Sequence, residues 1–269
     1  MTEGTAGSGG TAGTGEGTAG SGGTAGGMMA SGGTAGEGTA GSGGTAGGMS
    51  GSGGGAGAPS RDIECPAGAT FCTGFEGSAF PDGTQWHMVG PPAGDGYRFD
   101  TTEKAAGNQS LRIQATGSGG FLYRALAMPI PGNDFWVRLH MRLGTPLGDN
   151  SHDSVFGASS GNLAADVNGE ALIELSEQFE QVLLNTDDAL FTPMTKSKIA
   201  ANTWHCIEAH YDGGNGTVEI WVNGEQLINA PGYQALSLQS FRIGYMRYND
   251  DRDVWFDDVI IGPTRIACP

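Results

Sequence analysis

The segment Asp134–Leu143 (DFWVRLHMRL) carries the densest set of side chains able to do chemistry. In a strand, successive side chains alternate between two faces. Phe135, Val137, Leu139, Met141 and Leu143 then share an apolar face, and Trp136, Arg138, His140 and Arg142 share the other. Lining a groove, the second row would bind a sugar through Trp136, Arg138 and Arg142. It would also suit β-elimination from a uronic acid. Arg138 or Arg142 would neutralise the carboxylate, so that the C5 proton becomes removable. His140 would take that proton, with His152 or Tyr245 as partner. The plainer alternative is a charged outer face whose arginines pair with nearby carboxylates. For His152 that alternative is an ordinary loop histidine.

Other chemistries find less support. A retaining glycosidase needs two carboxylates on one surface, yet Glu174, Glu177 and Glu180 are three apart and scatter over both faces of a strand. Trp86, Trp204, Trp221 and Trp255 read as core or rim packing. The Gly-x-Gly matches near the N-terminus lack the strand–helix context of a phosphate loop.

Short strands separated by Gly, Pro, Asn and Asp clusters position these residues. Phe71–Glu76, Ser110–Ala115, Gly120–Ala127, Phe135–Leu143, Trp204–Tyr211, Thr217–Asn223, Phe241–Arg247 and Val254–Ile261 read as strands. The turn signals are 212–216 (DGGNG) and Asn223-Gly224. With no clear crossover helix, the pattern predicts an all-β antiparallel sandwich. Ala171–Asn185 is ambiguous, because Leu172, Leu175, Phe179 and Val182 have helical spacing. It also divides into two strands about Glu177-Gln178, and its β surroundings favour that hairpin.

Residues 1–60 hold 26 of the 50 glycines and none of the 22 aromatics, and they repeat GTAGSGGTAG at 4–13, 17–26 and 38–47. Such a stretch cannot bury enough apolar surface to offset chain entropy and is expected to be a disordered linker. One domain is expected over 61–269. No apolar run approaches the roughly 20 residues of a membrane-spanning helix. Met1-Thr2-Glu3 begins no recognisable signal peptide, which implies an upstream start or a fragment.

The formal charge is −16, and three of the 29 acidic residues lie before residue 61. A domain with 26 acidic and 13 basic residues repels nucleic acid and anionic polymers. Cys65, Cys72, Cys206 and Cys268 lack zinc-type spacing, and an even set suits two disulfides in an oxidising compartment. Cys65–Cys72 with Cys206–Cys268 is the preferred pairing. Cys65–Cys268 with Cys72–Cys206 is the rival if the first and last strands are antiparallel neighbours.

The stretch 203–227 (TWHCIEAHYDGGNGTVEIWVNGEQL), with FCTGFE at 71–76 and VWFDDVIIG at 254–262, resembles the concanavalin A-like lectin/glucanase superfamily. Its polysaccharide-lyase-like members, of the glucuronan-lyase and cellulose-induced fungal type, and the Gly-tethered secreted proteins of myxobacteria are most similar. The resemblance covers nearly all of 65–268 and implies a jelly roll. Lyase-like relatives use His, Arg and Tyr on such strands, which His140 and Arg142 match. The resemblance also implies a structural Ca2+ held by Glu76, Asn108 in the loop 105–111 and Asp257, since calcium takes six to eight oxygens. The expectation is a secreted or surface-tethered, monomeric carbohydrate-binding domain that recognises a polysaccharide or cell-surface glycan. The alternatives are a polysaccharide lyase and a structural domain of the cell envelope.

Overall fold

The computed structural model describes residues 65–78, 85–89, 96–115, 121–146, 153–163, 172–178, 181–185, 192–195, 199–248 and 251–269, together with Ile63 and Phe80. The expected linker, 1–60, and His152 lie outside the described residues. The strands are β1 (Phe71–Thr73), β2 (His87–Val89), β3 (Tyr97–Asp100), β4 (Ser110–Ala115), β5 (Phe121–Pro129), β6 (Asp134–Leu143), β7 (Asp153–Ser159) and β8 (Leu172–Gln178). They continue with β9 (Gln181–Asn185), β10 (Thr192–Thr195), β11 (Trp204–Asp212), β12 (Thr217–Val222), β13 (Glu225–Ala230), β14 (Ser240–Tyr248) and β15 (Arg252–Gly262).

These strands form the expected antiparallel jelly-roll sandwich, with no helix among the described residues. One sheet runs β13-β12-β11-β6-β15-β4-β3, with β1 also paired to β15. The other runs β10-β9-β8-β7-β14-β5-β2. Residues 172–178 and 181–185 pair as antiparallel strands, β8 with β9, with Gln178 opposite Gln181. Tertiary pairing here overrides the helical spacing of their leucines.

Alternation along β6 sets the core. Phe135, Val137, Leu139, Met141 and Leu143 are buried, and each residue between them is partly exposed. Phe241 on β14 reaches across the sandwich, its ring 6.4 Å from Phe135 and 6.0 Å from Tyr211 of the facing sheet. Ring pairs at this separation add to area burial in holding the sheets together. The Asn223-Gly224 turn joins β12 to β13 with both residues at positive φ (51° and 82°). That is the geometry a two-residue hairpin demands and Asn-Gly supplies.

Both preferred disulfides are present, Cys65–Cys72 and Cys206–Cys268, each with Cα atoms 6.0 Å apart. The rival pairing's premise also holds, because β1 does pair antiparallel with β15. Cys206, however, lies on β11 and closes onto the segment that follows β15.

Phe135→Ala should therefore cost about 3–5 kcal/mol in urea unfolding, the usual range for emptying a buried aromatic site. Its outward neighbour substituted as Arg138→Met should cost less than about 1 kcal/mol. Equal losses would contradict the assignment of faces.

Candidate functional site

The polar residues of β6 stand in rungs fixed by register with β11 and β15. Trp136 lies opposite His210 and Gly262, Arg138 opposite Glu208 and Ile260, His140 opposite Cys206 and Asp257, and Arg142 opposite Trp204 and Trp255. All four side chains share the outer face of the eight-stranded sheet, as alternation requires.

The Arg142 rung is the most elaborate. Trp255 lies between two guanidiniums, with Arg142 Cζ 4.8 Å and Arg112 Cζ 5.1 Å from its ring. Its indole Nε1–H donates to Asp100 Oδ2 at 2.9 Å. Burial works against ionised Asp100, but the bonds from Trp255 and the amides of Thr102 and Glu103 outweigh it and hold the carboxyl below its ordinary range. Arg112 pairs with Asp253. Arg142 sits 3.3 Å from Glu103 and donates to Asn202 Oδ1 at 3.2 Å. Beside this rung opens a pocket of about 360 Å³ whose lining includes Glu103, Gln114, Arg142, Asn202, Asp253 and Trp255. Fixed amide, carboxylate and guanidinium groups around one indole offer donors and acceptors to a polyhydroxylated ligand.

At the His140 rung, β15 carries an extra residue. Its register slips between Asp257 and Ile260, and Asp258 takes φ +46°. Asp tolerates that region better than most residues. A bulge of this kind redirects side chains, and both Asp257 and Asp258 leave the core, between inward Phe256 and Val259. Asp258 Oδ2 lies 3.6 Å from His140 Nδ1. Asp257, 1% exposed, accepts the amides of Ala105 and Ala106 through Oδ2, at 2.9 and 3.1 Å. Glu76 accepts the Asn108 amide at 2.7 Å and its Nδ2 at 3.0 Å. Gly107, at φ +59°, allows this approach, because a Cβ there would overlap Glu76 Oε1. Thus the structure brings Glu76, Asn108 and Asp257 to one loop. Among the described residues, no group of three or more His, Cys, Asp or Glu is arranged as a metal site.

At the other end of β6, rings stack. Trp136 is 4.3 Å from His210 and 5.5 Å from Trp221. His210 bonds Glu219 and Asp134, each at 2.9 Å. The segment after β15 crosses here and places Arg265 over Trp221 and Trp136, with Cζ 4.3 and 5.5 Å from their centroids. Arg265 Nε also meets Glu208 Oε2 at 2.7 Å. Sequence reading missed Glu208 and Arg265, which are 57 residues apart. No local pattern marks such a pair.

The His, Arg and Tyr set is divided. Tyr245 is fully buried in the sandwich interior on the opposite sheet, and its hydroxyl accepts Arg252 Nε–H at 2.9 Å. Burial raises its pKa, against the charge of Arg252. Arg252 in turn pairs with buried Asp153 at 3.1 Å. Strand placement alone suggested Tyr245 as partner to His140; period-two alternation turns it inward. Of the other tryptophans, Trp86 packs 5.3 Å from Phe75, Trp255 is buried, and Trp204 and Trp221 are half-buried.

Comparison with known proteins agrees with this architecture. The family model for the polysaccharide lyase-like, Cip1-like core domain matches residues 74–264. Among solved structures, the cellulose induced protein Cip1 is 25% identical with a TM-score of 0.61, over 74% of this chain and all of that one. An endo-β-1,4-glucuronan lyase from the fungus Trichoderma reesei is 13% identical, with a TM-score of 0.46 over 67% of this chain and 95% of that one. A structure described with endo-acting O-glycanases of the human gut microbiota is 11% identical, with a TM-score of 0.50 over 72% and 98%. No curated protein matches the chain.

The buried carboxyl of Asp257 gives a pH signature. Burial, aided by the neighbouring Asp258 charge and opposed by the loop amides, pushes its pKa from 3.8 up to about 7. A folded-state value above the unfolded one means the native state binds the extra proton. The stability this contributes is complete below pH 3.8 and disappears as pH rises through 7. In chelator, thermal unfolding from pH 4.5 to 8 should show that decline, and Asp257→Asn should flatten it. Parallel profiles for the two proteins would refute the assignment.

Proposed function

The chain belongs to the polysaccharide lyase-like family with a Cip1-like core domain, and from that premise we propose that it binds a polysaccharide along β6 without cleaving it there. That it is a carbohydrate-active jelly-roll domain follows from the family and the fold. The single observation that carries the binding reading is the pocket beside Arg142 and Trp255, of about 360 Å³ and lined by fixed hydrogen-bonding groups. Arg142 is the one sequence-predicted ligand residue in its wall. Such a site suits neutral hydroxyls, because Glu103, Asp251 and Asp253 in its lining outnumber Arg142 and Arg252. Their field opposes a polyuronate.

Catalysis by β-elimination is the second reading. One observation favours it: Arg138 and His140 stand side by side on the outer face, each partly exposed. A uronate carboxylate would pair with Arg138, leaving His140 to act as base. Against it, Asp258 faces the His140 ring and the Tyr245 hydroxyl lies inside the sandwich.

A structural calcium ion in the loop beneath is supported by the family resemblance rather than by the present hydrogen bonds, which direct amide hydrogens at both carboxylates. Glu76, Asn108 and Asp257 would hold it together with loop carbonyls, and its two charges would favour the ionised form of Asp257. The setting proposed for the domain is outside the cell, as a monomer with no nucleic-acid partner. The two disulfides support the setting, and the net charge of −16 argues against a nucleic-acid partner. No helix among the described residues is long and apolar enough to cross a membrane.

Two measurements test these readings. Affinity electrophoresis of the full chain against neutral glucans, glucuronan, alginate and pectate should show retardation by a neutral polymer, weakened about tenfold or more in Arg142→Ala. Ultraviolet absorbance from an unsaturated uronic product, lost in His140→Ala, would instead establish the lyase. Silence in both would leave a structural role in the cell envelope. For the ion, calcium at a hundred times its Kd should add about 2.7 kcal/mol of stability at pH 7.5. The gain in melting temperature should vanish in Asp257→Asn and Glu76→Gln.

A further inference from the structure

Glu208 is 2% exposed, and both of its carboxylate oxygens are committed to the C-terminal segment. Oε2 takes Arg265 Nε–H at 2.7 Å, and Oε1 takes the Cys268 amide at 3.1 Å. A carboxylate taken out of water needs a cation. The nearest by register is Arg138, directly opposite on β6, yet the two form no ion pair. Arg265 fills the role instead, and its guanidinium also lies over Trp221 and Trp136. Two indoles above a buried carboxylate make a receptor for one positive charge.

The segment that fills this receptor is held lightly. Among the described residues, 263–269 make no backbone–backbone hydrogen bond to the sheet. The Arg265 side chain is 46% exposed. What keeps it in place is the bonding to Glu208, the ring contacts, half-buried Ile266 lying over Gly262 and the Cys206–Cys268 disulfide. A soluble cation can replace the Arg265 side-chain contacts one for one, while the disulfide keeps the displaced segment attached. Carboxylates flank the site, with Asp134 largely exposed beside Glu219. The domain's 26 acidic against 13 basic residues draw cations towards it.

We propose that Trp136, Trp221 and Glu208 form a cation receptor that the chain occupies with its own Arg265, and that the ligand displacing it is an amino-sugar polymer. The proposal rests on the glycan-binding reading above and adds a cationic unit to the neutral hydroxyls that the Arg142 pocket takes. An ammonium on a pyranose uses both parts of the receptor: the charge meets Glu208 and the C–H face of the ring lies on an indole. The receptor and the Arg142 pocket occupy opposite ends of β6, six residues apart, or roughly 20 Å along the strand. One extended glycan can span both. As a tethered competitor at an effective concentration of about a millimolar, Arg265 weakens every ligand that enters.

The test uses the full chain and titrates a glucosamine oligomer, its N-acetylated counterpart and a neutral cello-oligomer by calorimetry. Arg265→Ala should bind the glucosamine oligomer about tenfold tighter than wild type, since the competitor is gone. The N-acetylated and neutral oligomers should gain nothing. Arg265→Lys keeps a cation in the receptor and should stay within about twofold of wild type. Adding Glu208→Gln to Arg265→Ala should abolish the gain, with near-ultraviolet circular dichroism confirming that the double variant is folded. No gain in Arg265→Ala, or an equal gain for the uncharged oligomers, would overturn the proposal. A gain for an arginine-rich peptide without one for glucosamine would overturn it too, making the partner a basic protein. Loss of cello-oligomer binding in Arg142→Ala reports on the pocket alone, so the two readings fail independently.

Discussion

The central strand β6 is hydrogen-bonded along both edges, and its register with β11 and β15 decides what stands beside every polar residue on the outer face. The inward side chains hold that register. Sliding β6 by one residue would exchange Phe135, Val137, Leu139, Met141 and Leu143 with Trp136, Arg138, His140 and Arg142, and place three cationic or titratable groups in the core. Phe241, projecting from the facing sheet onto Phe135 and Tyr211, ties the two sheets at the same level. The outer face is therefore a consequence of the inner one.

On that face the charges are organised by rung. At one end, the Trp255 indole of β15 stands between the guanidiniums of Arg142 on β6 and Arg112 on β4, with Asp100 and Asp253 as carboxylate partners of the indole and Arg112, beside a polar pocket. In the middle, the β15 bulge turns Asp257 and Asp258 outward together, one to the loop after β3 and the other to His140. At the far end, the segment following β15 folds back and lays Arg265 over Trp136 and Trp221. Each of the three depends on β15, the last strand, which is why the C-terminal part of the chain shapes the site.

The buried ionic cluster of Arg252, Asp153 and Tyr245 belongs to the sandwich interior rather than to this face. Breaking such a cluster by removing one partner leaves an uncompensated charge. It therefore fixes how the two sheets meet, and it removes Tyr245 from the chemistry available to His140.

The sequence determined whatever depends on neighbours along the chain. Alternation placed Trp136, Arg138, His140 and Arg142 on one face, and Asn223-Gly224 specified its hairpin. The even cysteine count called for two bridges. Tertiary structure decided what depends on pairing at long range. It chose paired strands over a helix at 172–178 and 181–185, joined Cys206 to Cys268, and buried Tyr245. It also brought Glu208 to Arg265 and closed the 105–109 loop over Asp257 on the outer face. The physical reason is the same in each case. Which face a side chain occupies is set by the period of its own strand. Which groups it meets there is set by strands far away in sequence, and one extra residue in β15 is enough to change them.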